Sequence, residues 1–180
     1  MRWILAAVLV IVIAFGTWYE VRPRAALPVT QNAAYAVPTL SRDYANSIYG
    51  FSLKMPADFS ASESQDPSSG DDTIVLQNQS GDGIQIVISP FGEDTGHGYT
   101  LTADRIHQDL PDLEIDDIQP VDIGTTSPAY VGLAFLSDNP AFDGASREVW
   151  FVFRGNLYQI STYARLDPLL QAIFTTWQFN

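Results

Sequence analysis

The sequence predicts an α+β fold, an antiparallel β-sheet flanked by α-helices, preceded by one N-terminal transmembrane helix. Three observations predict it. Several short segments alternate apolar and polar residues with the period of two that is typical of half-buried strands. Two other segments repeat apolar residues at helical spacing, and the strands come in runs instead of alternating one by one with helices. An almost unbroken apolar run, residues 3–19, opens the chain.

The opening run has the length of a membrane span. At 1.5 Å per residue, a helix over residues 3–19 extends roughly 25 Å, which is within the range of transmembrane helices. A cleaved signal peptide is the alternative, with the small-residue pattern at residues 34–36 as its cleavage site. Because that pattern lies well beyond the apolar run, we expect an uncleaved anchor over residues 1–20. We expect a single-pass protein of the cell membrane, with its N terminus inside and its C-terminal domain extracytoplasmic.

A Pro/Ala-rich linker is expected over residues 21–46. This stretch holds Pro23, Pro28 and Pro38 and has no sustained period of helix or strand. We therefore expect a partly extended tether. The remaining residues, 47–180, are enough for one domain with its own core.

The first half of the domain predicts three strands and a helix. The strands are expected over residues 49–55, 73–78 and 84–89. The last two of these form a hairpin across a Gly-containing turn. The helix is capped by Thr100 or Thr102. Its apolar stripe includes Ile106, and Pro111 ends it.

The second half predicts four more strands and a closing helix. The strands are expected over residues 115–123, 129–136, 148–153 and 157–163. Several are apolar on nearly both faces, so both faces of the sheet must be covered. Gly155-Asn156 is expected to form a tight turn between the last two. In the closing helix Asp167 caps, Pro168 starts, and Trp177 belongs to the apolar stripe.

Charge and cysteine content exclude several functions. Beyond Arg24 the chain has 20 acidic and six basic residues, a net charge of −14. A surface so negative repels phosphate backbones and anionic lipid head groups, so no nucleic-acid partner is expected. The chain has no cysteine, which excludes disulfides, thiol nucleophiles and thiolate metal sites. We expect no cofactor.

The sequence assigns no catalytic, cofactor-binding or metal-binding residue, although two places are candidates. Glu93, Asp94 and His97 lie in a Gly-rich loop that can bring them around a cation. A solvated loop is the alternative, because no second histidine follows at metal-ligand spacing. His107 lies beside the apolar stripe of the first helix, where an exposed flank is expected.

Two acidic loops and two loop aromatics are the remaining candidates. Residues 60–72 and 138–144 are rich in oxygen ligands, but neither has the ligand spacing of a calcium-binding loop, so we expect solvated loops. Phe91 and Phe142 lie in loops, where aromatic side chains can anchor a partner. The alternative, that each ring folds back over the core, stays open.

Three parts of the chain carry a family resemblance. They are Tyr49-Gly50-Phe51-Ser52-Leu53 with Pro56 and Phe59, the late segment Gly155-Asn156-Leu157-Tyr158-Gln159-Ile160, and the closing helix through Ile173 and Trp177 to Phe179. In this order they resemble the PsbP-like domain, whose superfamily includes the extrinsic photosystem II protein PsbP and many small bacterial envelope proteins. The resemblance covers residues 47–180. It implies a PsbP-like α/β sandwich that serves as a non-enzymatic binding or assembly module.

We therefore expect a membrane-anchored, extracytoplasmic binding or assembly module that is not an enzyme and engages another protein of a membrane or envelope complex. Two alternatives stay open. A domain that binds a small molecule or a cell-wall ligand predicts a deep apolar pocket between sheet and helix. An unrecognised hydrolase predicts a cleft that contains His97 or His107 with a shifted pKa.

Overall fold

The computed structural model describes residues 35–91, 101–125, 130–142 and 144–180. Together they belong to one compact unit, Tyr35–Asn180. The expected transmembrane helix and most of the expected linker fall in residues 1–34, outside the described residues. Within the described ranges, no helix combines the length and the apolar character that crossing a bilayer requires.

The described residues form two antiparallel sheets. The strands in chain order are β1 (Leu40–Asn46), β2 (Phe51–Pro56), β3 (Ser60–Gln65), β4 (Asp72–Gln77), β5 (Gly83–Pro90), β6 (Ile115–Ile123), β7 (Tyr130–Ser137), β8 (Ser146–Phe153), β9 (Asn156–Tyr163) and β10 (Gln178–Phe179). The smaller sheet has the order β1-β2-β10, and the larger has the order β3-β4-β5-β9-β8-β7-β6. One antiparallel sheet flanked by helices was predicted, and its coarse part, an antiparallel fold with few helices, is confirmed. The division into two sheets was not predicted.

The larger sheet separates two apolar cores. The helices are α1 (Ala103–Asp109) and α2 (Asp167–Phe174). One face of the larger sheet packs against α2 and the smaller sheet, in a core that includes Phe51, Ile86, Val149, Leu169 and Trp177. The opposite face packs against α1, in a core of Ile106, Phe135, Trp150 and Leu157. Because successive side chains of a strand point to opposite faces, a strand apolar on both faces serves both cores.

Aromatic rings join the two sheets. The ring of Phe51, on β2, stacks on Trp177 with centroids 4.6 Å apart, and Phe151, on β8, stacks on Tyr158 at the same separation. Phe51 also meets Tyr158 edge to face at 6.1 Å. Offset-stacked and edge-to-face pairs are favourable beyond the area that they bury. These contacts hold β1 and β2 in a fixed position over the larger sheet.

Three strands were missed, each for a physical reason. β1 lies in the residues assigned to the linker, because only Tyr44 and Asn46 of its seven residues are buried. β3 lies in the segment interpreted as a solvated acidic loop, because all six of its residues are exposed and none follows an apolar alternation. β10 lies where the closing helix was expected to continue.

Helix α2 ends earlier than its apolar stripe predicts. The hydroxyl of Thr175 donates to the carbonyl of Ala172 at 2.7 Å, and that of Thr176 donates to Ile173 at 2.8 Å. These bonds satisfy carbonyl groups at the end of the helix, as C-terminal residues often do. Trp177 lies beyond the end of the helix but is buried in the core. Its burial was therefore predicted correctly, although its secondary structure was not.

One local prediction is confirmed and two are displaced by one residue. Thr102, one of the two predicted caps of α1, does cap the helix: its hydroxyl oxygen accepts a hydrogen bond from the N–H of Arg105 at 3.2 Å. Asp167, the predicted cap of α2, lies inside its first turn instead, where its carboxylate pairs with Arg147 (Nε–Oδ1 3.2 Å). The turn between β8 and β9 uses Arg154 and Gly155, both with positive φ, because Phe153 already pairs with Asn156.

Gly124→Ala is expected to destabilise the domain by about 1–3 kcal/mol. Gly124 has φ +84°, its N–H donates to the carbonyl of Phe174 at 3.1 Å, and a Cβ there would lie 2.9 Å from the carbonyl oxygen of Trp177. Urea denaturation of the full chain measures the change in the free energy of unfolding. Gly81→Ala is the matched control, since φ is +88° there but nothing lies within 4 Å of the new Cβ. Equal losses in the two variants would show that the close contact contributes nothing.

Candidate functional site

An open cleft lies between the β1–β2 turn and the end of the β3–β4 hairpin. Its volume is about 280 Å³, and its lining residues are Asn46, Ile48, Tyr49, Glu63, Ser64, Gln65, Asp72, Thr73 and Ile74. Most of these side chains carry oxygen or nitrogen atoms. The cleft exists because β3 pairs only with β4, whereas β1 belongs to the other sheet, so the two sheets part at this end.

Two carboxylates of the cleft are oriented by tyrosine hydroxyls. Tyr44 donates to Glu63 Oε1 at 2.6 Å, and Tyr49 donates to Asp72 Oδ2 at 2.6 Å. Asn46 Nδ2 also approaches Glu63 Oε2, at 3.5 Å. Burial, followed by these hydrogen bonds to carboxylates, raises the pKa of both tyrosines. Each tyrosine therefore keeps its proton and remains a donor.

Neither carboxylate is neutralised by the part of the chain that the structure describes. The ion pairs found there join Lys54 to Asp43, Arg105 to Asp109, Arg147 to Asp167, and Arg165 to Asp82. Glu63 and Asp72 are thus oriented carboxylates without an ion-pair partner among the described residues. That arrangement favours the binding of a positively charged group.

An apolar side chain stands at the rim of the cleft. Ile48, in the β1–β2 turn, is 78% exposed, the highest value among the large apolar side chains that the structure describes. The turn is held by a hydrogen bond from the N–H of Tyr49 to Asn46 Oδ1 at 2.9 Å. Ile48 is therefore presented to solvent by an ordered turn.

A second polar centre is buried on the α1 side of the larger sheet. Glu148 is 4% exposed and accepts hydrogen bonds from Ser146 (2.8 Å), Ser137 (3.3 Å), Asn139 (3.3 Å) and Ser161. Burial raises the pKa of this carboxyl, and the hydrogen bonds oppose the rise. The donors come from β7, β8, β9 and the loop after β7, so the carboxyl ties these segments together. Most of the hydrogen-bond acceptor sites of Glu148 are thus occupied within the protein, and we interpret it as a structural group.

The histidine predictions divide between tested and untested positions. His107 is exposed on α1, as expected for a helix flank. Glu93, Asp94 and His97 lie in residues 92–100, outside the described residues. Within those described, no three histidine, cysteine or acidic residues are grouped so as to hold a metal ion.

The loop aromatics fold inward. Phe142 is half-buried and meets the ring of Tyr163 edge to face at 5.3 Å. Phe91 packs against the α1 core. For Phe91 the structure favours the alternative in which the ring covers the core, whereas Phe142 packs on Tyr163 outside the two cores.

The acidic loops have internal partners. Asp66 accepts from the N–H and the hydroxyl of Ser68, which lowers the pKa of its carboxyl. Asp138 accepts from the N–H of Glu114 at 3.1 Å. The bonds of Asp66 are local and typical of a turn, whereas that of Asp138 joins the segments next to β6 and β7; neither requires a cation.

The cleft was not found from the sequence. Tyr44 and Asn46 fall in the expected linker, and Glu63 and Asp72 fall in the expected acidic loop. One signal could have predicted β1: Tyr44 and Asn46 are two residues apart, and residues at that spacing lie on the same face of a strand. Nothing in the sequence places that strand beside Glu63.

Tyr44→Phe is expected to lower the free energy of unfolding by about 0.5–1.5 kcal/mol, because it removes the donor to a partly exposed carboxylate. Urea denaturation of the full chain measures the loss. Tyr130→Phe is the control, since its ring packs on Phe153 and Phe179 but its hydroxyl makes no hydrogen bond with any described residue. If the control loses as much as Tyr44→Phe, the bond to Glu63 does not stabilise the domain.

Glu148→Gln is expected to change how stability depends on pH. A carboxyl whose pKa is raised on folding contributes stability below its unfolded pKa, near 4.5, and loses it as the pH rises through the folded value. The stability of the variant relative to the wild type should therefore increase from pH 4 to pH 8. Urea denaturation across this range measures the difference. Asp66→Asn should vary little over this range and show the opposite trend below about pH 4, because the pKa of Asp66 is lowered from its ordinary value of 3.8. A difference at Glu148→Gln that does not vary with pH would contradict the assignment.

Comparison with known proteins identifies the fold. No protein-family model matches the chain, and no curated protein matches it. Among solved structures, the chain is similar to the solution structure of cyanobacterial PsbP (CyanoP) from Synechocystis sp. PCC 6803. The two are 12% identical, the match covers 85% of this chain and 99% of the other, and the TM-score is 0.54. At this identity the likeness establishes the fold. The domain therefore has the PsbP-like fold that the sequence predicted.

Proposed function

We propose that this protein is a membrane-anchored, extracytoplasmic binding or assembly module, not an enzyme, that engages another protein of a membrane or envelope complex through the cleft. The observation that supports the proposal is the pair of oriented carboxylates, Glu63 and Asp72, which no described cation neutralises, beside the exposed Ile48. Buried apolar anchors surrounded by polar contacts are typical of protein interfaces.

The shape of the cleft favours a protein segment over a small molecule. Small-molecule pockets commonly enclose about 300–1,000 Å³ behind mostly apolar walls. This cleft holds about 280 Å³, just below that range, and it is open to solvent. A ligand enclosed on few sides gains little from burial, whereas a protein segment adds contacts along the rim. The alternative of a small-molecule or cell-wall ligand is therefore less well supported.

The lining residues also favour binding over catalysis. They include hydroxyl groups on Ser64 and Thr73, but no histidine, lysine or cysteine. Glu63 and Asp72 each already accept a hydrogen bond from a tyrosine hydroxyl. A hydrolase needs an activated nucleophile within hydrogen-bond reach of a base. In the lining set the Tyr49 hydroxyl lies 2.6 Å from Asp72 Oδ2, but the pKa of this tyrosine is raised by burial and by the carboxylate, which opposes its activation.

The cleft lies at the end of β1 that is far from the start of the domain. Seven residues of strand, Leu40–Asn46, extend about 23 Å at ~3.3 Å per residue. Tyr35 lies toward the opposite end, where burial and then the charges of Asp82 and Asp58 raise its pKa. The first described residue of the domain, Tyr35, thus lies away from the cleft.

The membrane part of the proposal is supported by the sequence. The apolar run over residues 3–19 has the length of a span. The net charge of −14 beyond Arg24 repels anionic head groups, so the domain would stand off the bilayer and face partners.

In-cell photo-cross-linking of the full chain tests the proposal. With a photoreactive amino acid in place of Ile48, we expect a discrete adduct with a different protein, recovered in the membrane fraction after carbonate extraction. The matched control places the same group at Gln108, which is exposed on α1 at the opposite face of the larger sheet. Adducts at position 48 that contain only this chain would contradict the proposal, as would a chain released by carbonate or adducts formed equally well at position 108.

A further inference from the structure

β3 presents a regular strand edge to solvent. It pairs with β4 on one side only, and all six of its residues are exposed. Two hydrogen bonds, Asp66 N to Asp71 O (2.9 Å) and Asn78 N to Asp82 O (3.0 Å), fix the phase of the antiparallel ladders. By the alternation of such ladders, the odd residues Ala61, Glu63 and Gln65 direct their N–H and C=O groups away from β4.

The other long edge of the larger sheet is protected, in contrast to β3. β6 contains Pro120, which has no N–H, and its register shifts between Asp116 and Gln119. Asp117, inside that irregularity, has φ +57°. Prolines and bulges are the devices by which natural sheets prevent further strands from pairing. β3 has neither, and its pairing with β4 is continuous over six residues.

The open edge and the cleft lie side by side. Glu63, Ser64 and Gln65 belong to β3 and also line the cleft. A strand added to this edge would lie about 4.8 Å from β3, with alternate side chains on the cleft side. A residue opposite Glu63 would have its Cβ about 5 Å from that of Glu63, where an opposite charge is favourable.

We infer that the partner binds as an extended segment that adds a strand to β3 and places a lysine or arginine in the cleft, against Glu63 and Asp72. This inference rests on the proposed function and specifies its partner. Backbone hydrogen bonds supply the attachment, and the charge in the cleft supplies the selectivity. A second copy of this chain is disfavoured, because each copy brings Glu63 and a strongly negative domain.

Binding of a probe peptide to the purified full chain in detergent tests the inference. The probe is a fluorescent seven-residue peptide that alternates valine and lysine, and its control has glutamates in place of the lysines. Anisotropy at low salt should give at least tenfold tighter binding of the lysine peptide, an advantage that falls as salt is added. Equal binding of the two peptides, or no binding at millimolar concentration, would overturn the inference.

Variants of β3 locate the contact. Gln65→Pro removes one outward N–H and should weaken the lysine peptide about fivefold, while Gln65→Ala, which keeps the N–H, should bind within about twofold of the wild type. Glu63→Gln should also weaken it about fivefold and reduce its salt dependence. Glu63→Gln keeps every backbone group, so it carries the test if Gln65→Pro unfolds in urea controls. Proline and alanine variants that bind equally well would overturn strand addition.

Two further outcomes separate this inference from the proposed function. If position 48 captures a partner in cells but the two peptides bind equally well, the proposed binding function is supported and the inference of a cationic added strand is wrong. A photoreactive group at Ser62 that links to residues 1–34 of the same chain, or to a second copy, would identify a different occupant and overturn the inference.

Discussion

The structure depends on the burial of one aromatic cluster between the two sheets. Phe51, Phe151, Tyr158 and Trp177 are each at most 1% exposed and contact one another by stacking or edge-to-face contacts. Burial raises the pKa of Tyr158 to about 12. Its hydroxyl and the indole N–H of Trp177 have no hydrogen-bond partner among the described residues, which is a cost that the ring contacts must exceed. Because Trp177 follows α2 directly, the same cluster fixes the helix, the smaller sheet and, through β2, the position of the β1–β2 turn.

The open side of the sandwich is bridged by side chains. Arg42 Nη1 donates to the carbonyl of Phe59 at 2.6 Å, and Tyr44 and Asn46 reach Glu63. Backbone pairing between β1 and β3 is absent from the described ladders, so these contacts set the distance between the two sheets there. The width of the cleft is therefore a property of a few hydrogen bonds. Bridges of this kind allow small changes of width at modest cost, which is compatible with the strand addition that we infer.

The sequence predicted the elements whose burial follows a period and missed those whose burial does not. β4, β5, β8 and β9 alternate or are apolar on both faces, and their predicted bounds differ from the observed ones by at most two residues. β1 and β3 have too few buried residues to show a period, and they are held by pairing with a neighbour. The candidate cleft is built from those two strands and the turns beside them, so it was missed with them. The sequence shows Glu148 as an acidic residue in an otherwise apolar strand. It does not show its serine partners on neighbouring strands, because these become neighbours only through the strand register.

The contrast between Glu148 and Glu63 explains why one carboxylate holds the fold together and the other is available for binding. A carboxylate can accept about four hydrogen bonds. Glu148 accepts four from side chains of this chain and is 4% exposed, so further donors have neither acceptor sites nor access. Glu63 accepts two, Asp72 accepts one from a side chain, and both line an open cleft. Their remaining acceptor sites are already oriented by tyrosines, so a cationic partner would lose little ordering entropy there. Since the rest of the domain is also negative, long-range attraction and short-range geometry would both favour the cationic segment that we infer.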